Sequence, residues 1–595
     1  MDGGISGPER HEAGGGTDPA GGQGFGVGVL LGLIALVAAV PRLFDLGYEA
    51  LWFDEVNTLY RASAEGLVGV LARTAADVQA PFYDLVSWVV AGPLGRTDAA
   101  GFRFPAALFG IALVPVGGAL ALALTGQRAA AVLAALLLAF SPYQIRFAQE
   151  ARPYTLLALL SGLLLLGAMR AMSSGGRRGL LLVAISSPLL VLTHYYGVLM
   201  FGAAALVLLV SAARFGSRLP RVAWALIPAL LALLAWSPAA LRQMSLREMN
   251  TVYGPLDAPM LLEILDAQGV AASLRTAPSL LDLSIGSLAP LAPWGLWLGR
   301  ALLLALLVVG WRAVRRGARA VGDTAHDAPG SCRAPAIALV SLGALIAACA
   351  ALLPDAFVDR VAASVFKGGR VLDEENRAFV AQVRSWMLPV GGALALFGVL
   401  VACLPGLARR TGRGPAPALL LQAAVVLPLL APFLLDLTGK YTLTPRNMIM
   451  LAPSVAALAA AGWVRLSTIN ARLAARALCL VAVLGLAAVP AYGVKRDWHA
   501  ASETVALTGL EVVAYPPWLT RCVEYHTDRP WGSVFGAWRA DDVEHWAAER
   551  QGAVLVSAHA TPQEQAGVEA ALAARFGPPV VRTLRGITCR VYRLR

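Results

Sequence analysis

The sequence predicts a polytopic α-helical membrane protein of about 13 transmembrane helices, followed by a small C-terminal extracytoplasmic α/β domain. The 595 residues are 57% hydrophobic and only 14% charged, and the mean hydropathy of +0.65 is far too apolar for a soluble globular protein. Most of the apolar residues form separate runs of about 17–22 residues, the length that crosses a bilayer. Residues 493–595 depart from this pattern, with short strand-like segments between polar stretches.

The apolar runs divide the chain into a tail, a membrane domain and a terminal domain. Residues 1–24 are Gly-rich, contain four acids and no apolar run, and are predicted to be a disordered cytoplasmic tail. Residues 25–492 form the transmembrane domain, whose first extracytoplasmic loop is 42–103. The 13 runs lie near 25–41, 104–125, 129–142, 155–169, 179–193, 198–213, 222–240, 294–311, 335–352, 386–404, 415–435, 448–464 and 477–492.

The charges between the runs predict the orientation. With the N-terminus in the cytoplasm, the loops between spans on that side carry 18 arginines against two acids, Asp323 and Asp327. The first outward loop carries five positive and eight negative charges. This bias is the positive-inside rule, so we expect a multi-pass protein of the cell (plasma or inner) membrane. The net charge of +12 is thereby explained by topology, and nucleic acid is not an expected partner.

Polar clusters recur at the outer ends of the predicted spans. They are Trp52–Glu55, Gln149–Tyr154, Thr193–Tyr196 and Lys440–Arg446. Charged groups this close to hydrocarbon are costly unless they are solvated, paired or used. The spans themselves hold no acid and one base, Arg300, whereas an ion-coupled transporter needs ionisable groups near the midplane. The pattern therefore favours chemistry at the outer membrane surface.

The C-terminal segment has the signals of a small α/β fold. Leu510–Tyr515 and Ala553–Val556 are typical of buried strands, and Thr561-Pro562-Gln563-Glu564 is a capping box that begins a helix ending near Phe576, before Gly577. Val580–Leu584 and Ile587–Tyr592 flank Arg585-Gly586, which predicts a hairpin. Cys522 and Cys589 share this domain, and the sequence leaves open whether they form a disulfide.

The outward clusters suit a reaction on a lipid-borne phosphate. If the donor is a polyprenyl-phosphate sugar, cationic side chains must hold the leaving phosphate, and a carboxylate must take or orient the acceptor's proton. Asp54 or Glu55 supplies that carboxylate, and Arg152, Lys440 and Arg446 supply the phosphate clamp. The alternative is that the acids are solvated surface and that the bases snorkel to lipid headgroups.

These residues also resemble a known family. Leu51–Glu55 resembles the first-loop D-E motif of the polyprenyl-phosphate-sugar-dependent membrane glycosyltransferases of the GT-C fold, which include protein O-mannosyltransferases and aminoarabinose transferases (glycosyltransferase family 39-like). Ser141-Pro142-Tyr143 through Gln149–Tyr154 resembles the family's S-P…Q-E-A-R-x-Y signature. Further likenesses are Asp77–Tyr83 to D-x-H-P-P-L-Y, Phe102–Gly110 to R-x-P-x-x-L-x-G, Thr193–Tyr195 to T-H-Y, and Pro445-Arg446 to P-R-Y.

The resemblance implies roles for single residues. Asp54 would be the catalytic carboxylate with Glu55 supporting it, and Arg446 would contact the donor phosphate. The substrate-binding set would comprise Glu150, Arg152, Tyr154, His194, Tyr195, Lys440 and Arg446. Two departures stand out: Gln79-Ala80 replaces the family's His-Pro, and Asn447 replaces its tyrosine.

No metal or other cofactor is predicted as required, although one divalent-ion alternative stays open. Asp54, Glu55, Glu150 and His194 together offer oxygen ligands and one imidazole, a set that suits Mn²⁺ or Mg²⁺. The competing interpretation of His194 is a hydrogen-bonded residue in an interfacial aromatic belt with Tyr195 and Tyr196.

The sequence thus predicts an enzyme that moves a single sugar from a polyprenyl-phosphate carrier in the lipid bilayer to an extracytoplasmic acceptor, with inversion. The acceptor is a glycan, a lipid or a protein. Two alternatives of other classes remain: a flippase for a lipid-linked substrate, and a non-catalytic cell-envelope scaffold built on residues 493–595. Transfer of an oligosaccharide is less favoured, because no W-W-D-Y-G-like segment occurs.

Overall fold

The structure is a computed structural model that describes residues 20–174, 176–214, 219–248, 300–312, 417–436, 444–469, 498–558, 562–584 and 587–593, with a few isolated positions. This part is mostly helical. Among the described residues, five helices are long and apolar enough to cross a membrane, or up to six if one bent pair counts as a span. Helices of membrane length and a small C-terminal sheet domain are therefore confirmed. The runs near 335–352, 386–404 and 477–492 lie outside the described residues, and the count of 13 stays a prediction.

The membrane portion begins with the long helix α1 and places three short helices in the first loop. The described helices are α1 (Ala20–Leu43), α2 (Phe53–Ala62), α3 (Gly66–Ala75), α4 (Pro81–Ala91), α5 (Ala99–Thr125), α6 (Arg128–Ala139), α7 (Pro142–Ala148), α8 (Tyr154–Ser174), α9 (Arg177–Thr193), α10 (Tyr196–Arg214), α11 (Leu219–Glu248), α12 (Pro417–Asp436) and α13 (Ala452–Ile469). A 3₁₀ segment, Pro445–Leu451, leads into α13, and residues 300–312 are also helical.

A sharp bend of 56° separates α6 from α7, and a buried arginine stabilises it. Arg42, at the end of α1, donates to the carbonyl oxygens of Leu138 and Ala139 at 2.8 Å each. Carbonyls at a helix C-terminus have no hydrogen-bond partner within the helix and carry partial negative charge. A guanidinium group there donates hydrogen bonds to them and also interacts favourably with that charge. Gln149, just after α7, donates to the carbonyls of Pro41 and Phe44. The bend therefore places the 149–153 segment next to the end of α1.

Helix 300–312 crosses α13 at a pair of glycines. A Cβ atom added at Gly310 would lie 2.0 Å from the Leu458 carbonyl oxygen, and one added at Gly462 would lie 2.0 Å from the Leu306 carbonyl oxygen. Small residues allow two membrane helices to bring their backbones together and gain dispersion contacts. The crossing helps to fix α13, which follows directly after the 3₁₀ segment.

The C-terminal domain contains a five-stranded sheet in the order β2-β1-β3-β5-β4. Its strands are β1 (Glu511–Tyr515), β2 (Phe535–Gly536), β3 (Gly552–Ser557), β4 (Val580–Leu584) and β5 (Ile587–Arg593). β1 is parallel to β2 and β3, and β5 is antiparallel to β3 and β4. The described helices are α14 (Trp498–Thr508), α15 (Thr520–His526), α16 (Ala540–Ala547) and α17 (Pro562–Phe576).

The elements predicted for this domain from the sequence are confirmed. The two buried strands correspond to β1 and β3, the capping-box helix to α17, and the hairpin to β4 and β5. α17 ends before Gly577, whose φ of +87° is a conformation that glycine adopts without a steric penalty. Cys522 and Cys589 are both buried and are not bridged to each other.

The C-terminal domain packs directly on α2 and the residues before it. Trp518 meets the ring of Phe53 edge to face at 4.5 Å, and Arg521 donates to the Asn57 side-chain oxygen at 2.7 Å. Arg521 also lies over the ring of Tyr60, 4.0 Å from its centroid. One face of α2 is thus covered by the C-terminal domain.

A buried histidine joins the same interface. His526 Nε2 lies 2.8 Å from the carbonyl oxygen of Leu51, and its ring stacks on Trp498. Because a carbonyl only accepts hydrogen bonds, Nε2 carries the proton and the neutral ring donates it. Burial lowers the pKa of His526 to about 4, the hydrogen bond to Leu51 opposing this shift.

We predict that Gly462→Ala lowers the stability of the membrane domain. The new methyl group must push α13 away from helix 300–312, and overpacking of this kind costs about 1–3 kcal/mol. Gly202→Ala is the matched control, because nothing lies within 4 Å of a Cβ atom there and alanine favours the helix. Thermal unfolding in detergent should show a lower Tm for the first variant and an equal or higher Tm for the second. Equal shifts in both would contradict the close crossing.

We predict that acid weakens the docking of the C-terminal domain through His526. The unfolded chain takes up a proton near pH 6.5, whereas the folded ring does so only near pH 4, so stability falls as the pH falls through this window. Each unit of pKa difference corresponds to about 1.4 kcal/mol. We compare the Tm at pH 7.5 with the Tm at pH 5. The decrease in Tm on acidification should be smaller in His526→Gln than in wild type. The exposed His545→Gln is the control, and an identical pH profile for all three proteins would refute the assignment.

Candidate active site

The site is organised by α2, which begins immediately after Trp52 and carries both acids in its first turn. The Glu55 carboxylate accepts from the Trp52 backbone N–H at 3.1 Å, which caps the helix. Carboxylates are favoured in this position because the N–H groups at a helix N-terminus carry partial positive charge. Successive residues on a helix point about 100° apart, so Asp54 and Glu55 face different surroundings.

Glu55 is fully buried and fully engaged. Arg103 of α5 donates to both of its oxygens at 2.7 Å, and the backbone N–H of Ala151 donates to Oε1 at 2.8 Å. The same guanidinium donates to the carbonyls of Leu46, Glu49 and Ala50. This one ion pair therefore fastens α2 to α5, to residues 46–50 that follow α1, and to the 149–153 segment.

Asp54 lies in a different environment. Its Oδ2 atom is 3.4 Å from Arg446 Nη1 and 3.9 Å from Arg152 Nη2, and its side chain is 20% exposed. Arg446 belongs to the 3₁₀ segment and is itself 32% exposed. The structure thus brings together three residues that the sequence placed in one site, although Arg446 is 392 positions from Asp54 along the chain.

Arg152 is held in position by hydrogen bonds to α2. It donates to the Thr58 hydroxyl at 3.0 Å and to the Asp54 backbone carbonyl at 3.3 Å, and its side chain is 6% exposed. Burial lowers the pKa of Arg152 and the charge of Asp54 raises it, with a net rise above the ordinary value. Arg152 is therefore a fixed cation beside the more exposed Arg446.

A second buried network supports the same face of α2. Arg61 donates to both oxygens of Asp84, at 2.6 and 3.2 Å, and to Asp77 at 2.6 Å. Thr74 also donates to Asp84. Burial raises the pKa of Asp77, but the adjacent Arg61 charge outweighs it and holds that pKa below its usual value. The network ties α2 to α3 and α4.

The remaining predicted residues line or flank this arrangement. Glu150 is buried, with Arg146 3.6 Å away. Tyr154 is buried beside Arg152, whose guanidinium carbon is 5.9 Å from the ring centroid. The His194 ring lies 6.2 Å from that of Tyr154, and His194 Nδ1 accepts from the Tyr196 backbone N–H.

Tyr195 takes part in a neighbouring polar cluster. Its hydroxyl donates to the side-chain oxygen of Gln243 and accepts from the Trp236 indole at 3.1 Å. Gln243 in turn donates to the carbonyls of Thr74 and Gln79. Gln79 is the residue that replaces the histidine of the resembled family. The hydroxyl of Tyr195 is thus engaged between α11 and the first loop. Lys440 lies outside the described residues.

Sequence reasoning missed the buried hydroxyls near the site, among them those of Tyr83 and Tyr143. Among the described residues, the Tyr143 hydroxyl has no hydrogen-bond partner, although it is buried. The Tyr143 ring packs edge to face on Phe147, which packs on Tyr154, so an aromatic row runs from α7 into the site. No feature of the sequence separates Tyr143 from an ordinary interfacial tyrosine.

The four-residue divalent-ion set is not assembled in this arrangement. Within the described part of the chain, no three His, Cys, Asp or Glu side chains are grouped so that they could hold a metal ion. Glu55 directs its oxygens to Arg103, Trp52 and Ala151, and these contacts occupy the lone pairs that a cation would need.

Comparisons with known proteins give similarity in structure only. No protein-family model and no curated protein matches the chain. Apo ArnT from Cupriavidus metallidurans is 15% identical, with 96% of this chain and 98% of that chain covered and a TM-score of 0.41. ArnT bound to undecaprenyl phosphate is 15% identical, with coverages of 95% and 98% and a TM-score of 0.42. The archaeal oligosaccharyltransferase AglB from Archaeoglobus fulgidus, in complex with an inhibitory peptide and a dolichol-phosphate, is 12% identical, with coverages of 96% and 74% and a TM-score of 0.43. At TM-scores of this size the likeness adds nothing to the reasoning about the site, which rests on the chain's own residues.

We predict that Arg103→Ala destabilises the protein strongly. The substitution leaves the buried Glu55 carboxylate without its cation, and breaking a buried ion pair in this way costs about 3–5 kcal/mol. The matched control is Arg96→Ala, which breaks the Arg96–Asp98 pair, whose side chains are 57% and 51% exposed and whose expected contribution is at most about 1 kcal/mol. Chemical denaturation in detergent measures both. Comparable losses in the two variants would show that the Glu55 pair does not hold the site together.

Proposed function

We propose that this protein is a membrane glycosyltransferase of the GT-C fold that moves a single sugar from a polyprenyl-phosphate carrier to an extracytoplasmic acceptor. The observation that carries the proposal is the convergence of Arg152 and Arg446 on the partly exposed carboxylate of Asp54. An anion-binding pair next to a candidate base, at the ends of apolar helices, is what transfer from a lipid phosphate requires.

The reaction follows from these three side chains. The acceptor hydroxyl attacks the anomeric carbon from the face opposite the phosphate, so the bond between that carbon and the phosphate oxygen breaks with inversion. Asp54 takes the proton of the hydroxyl. The electron pair of the broken bond stays on the phosphate, and Arg446 and Arg152 stabilise the charge that develops there. If the acceptor is already an anion, no base is needed, and Asp54 orients it instead.

The other predicted residues take supporting parts. Glu55 is proposed to position α2 and Asp54 without contacting the substrate, because its oxygens already accept hydrogen bonds from Arg103 and from the backbone of Trp52 and Ala151. Glu150, Tyr154 and His194 are proposed to line the sugar or phosphate site, and Lys440 to complete the phosphate clamp. Tyr195 is proposed to contribute to substrate binding by fixing the edge of the site, since its hydroxyl contacts Gln243 and Trp236.

The topology belongs to the same proposal. About 13 membrane helices, a cytoplasmic N-terminus and an extracytoplasmic C-terminal domain would place Asp54 on the outer side of the cell membrane, as the loop charges predict. The likeness to family 39-type enzymes such as mannosyltransferases supports a hexose or pentose donor, and the acceptor would be a glycan, a lipid or a protein. The packing of the C-terminal domain on α2 fits an enzyme better than a scaffold, because it braces the helix that carries Asp54.

We predict that Asp54→Asn strongly lowers the rate of transfer. Loss of a general base lowers turnover by about 10²- to 10⁴-fold. Membranes that contain wild type, Asp54→Asn or the control Asp98→Asn are given a panel of radiolabelled polyprenyl-phosphate monosaccharides, and label in the acceptor fraction is counted. The control removes one negative charge from the same loop, at an exposed residue that caps α5, where asparagine also serves as a cap.

Each outcome of that assay decides something. Label transferred by wild type and by Asp98→Asn, and lost with Asp54→Asn at equal expression, supports the enzyme and identifies its donor. Equal transfer by all three proteins removes Asp54 as the base. No transfer from any donor refutes the proposed activity and favours a flippase for lipid-linked substrates.

A further inference from the structure

The two adjacent acids are paired in contrasting ways. Arg103 grips Glu55 through two 2.7 Å contacts inside a fully buried pocket. Asp54 instead meets its cations at 3.4 and 3.9 Å, in a place where it is 20% exposed. Ion pairs with such long, partly solvated contacts contribute little free energy, so an anion can compete for their cations. The first pair is therefore structural, whereas the second is open to competition.

A single oxygen of Asp54 faces both cations. Arg446 Nη1 and Arg152 Nη2 approach Oδ2, so this atom lies in the position between two guanidinium groups where an oxygen of a bound phosphate would be held. One carboxylate and two guanidinium groups leave a net positive charge on the cluster. A lipid phosphate therefore meets an attractive site, but one that Asp54 already occupies.

The two arginines differ in their freedom to move. Arg152 is 6% exposed and is held by the Thr58 hydroxyl and by the Asp54 backbone carbonyl. Arg446 is 32% exposed, and its hydrogen bond to Asp54, at 3.4 Å, is longer than either of the two that hold Arg152. A phosphate entering the cluster would thus find one fixed cation and one that can turn toward it.

We propose that Asp54 is the resting counter-ion of the donor-phosphate site and that the donor displaces it. In this inference, which rests on the proposed function, the phosphate takes over Arg446, and the carboxylate of Asp54 turns from the arginines to the acceptor. The displaced carboxylate is then free to contact the acceptor hydroxyl, so the acceptor's proton is taken only when a leaving group is in place.

Competition between Asp54 and the phosphate for Arg446 should change the apparent affinity for the lipid phosphate in a defined direction. While Asp54 holds Arg446, only the fraction of molecules with the pair open binds phosphate well, so the apparent affinity is lower than the intrinsic one. Removing the Asp54 charge should tighten binding of the lipid phosphate by about 3- to 10-fold, because both of its ion pairs are long and Asp54 itself is partly exposed. A purely structural role for Asp54, or a role in coordinating the donor, predicts unchanged or weaker binding.

The experiment measures binding of a short-chain polyprenyl phosphate to the purified full-length protein in detergent, without a sugar, so that no turnover occurs. Wild type is compared with Asp54→Asn, with Asp54→Glu, which keeps the charge, and with Asp98→Asn, which loses a charge elsewhere on the loop. The neutral polyprenol is the second probe. We expect tighter binding of the phosphate by Asp54→Asn alone, and no change in binding of the polyprenol.

A double variant locates the effect. In an Arg446→Gln background the competition is largely gone, so Asp54→Asn should then gain less than twofold. Equal or weaker binding of the phosphate by Asp54→Asn overturns the inference, as does an equal gain with Asp98→Asn. If Asp54→Asn does not fold, as judged by its Tm, Asp54→Ser replaces it under the same criteria.

This result is separable from the proposed function. If wild type transfers sugar and binds the lipid phosphate, but the Asp54 variant does not bind it more tightly, only the displacement is refuted. If wild type neither transfers nor binds, the donor itself is wrong and both ideas fall together.

Discussion

The rest of the site depends on the buried ion pair between Glu55 and Arg103. Two charges taken out of water are stabilising only if nearly all of their hydrogen-bonding capacity is used, because desolvation otherwise exceeds the Coulomb attraction. Here the carboxylate also accepts from the backbone of Trp52 and Ala151, and the guanidinium also donates to three backbone carbonyls. Such a pair favours one arrangement of α2 strongly, since a shift of one residue would leave both charges buried and unmatched.

With its position fixed in this way, α2 presents different faces to different partners. Phe53, Asn57 and Tyr60 meet the C-terminal domain through Trp518 and Arg521. Asp54 and Thr58 face Arg152 and Arg446, while Val56 and Leu59 are buried in the apolar cluster that the first loop shares with the domain. These spacings of three and four residues are those of one helix seen from several sides. The C-terminal domain therefore contacts the same ten-residue helix that carries the candidate base.

Most of the helices and strands could be predicted from local sequence patterns. The contacts between distant residues could not, because no local pattern encodes them. The membrane-length helices, the strands β1 and β3, the hairpin and α17 each have a periodicity or a cap that belongs to a single segment. The four outward clusters identified Asp54, Arg152 and Arg446 as one group. What the sequence does not encode locally is pairing at long range: Glu55 with Arg103, Arg61 with Asp84, and Arg42 with the end of α6. The two-residue strand β2 was missed because so short a segment has no period.

The comparison of Asp54 with Glu55 shows why adjacency in sequence says little about chemistry. The two carboxylates are neighbours on one helix, yet a rotation of about 100° places one against a buried arginine and leaves the other at the edge of solvent between two cations. A fully satisfied carboxylate has no lone pair left for a substrate, whereas a loosely paired one keeps the capacity to exchange its partner. In the D-E pair of this chain the burial of Glu55 is what holds Asp54 in place. The exposure of Asp54 is what leaves it able to react.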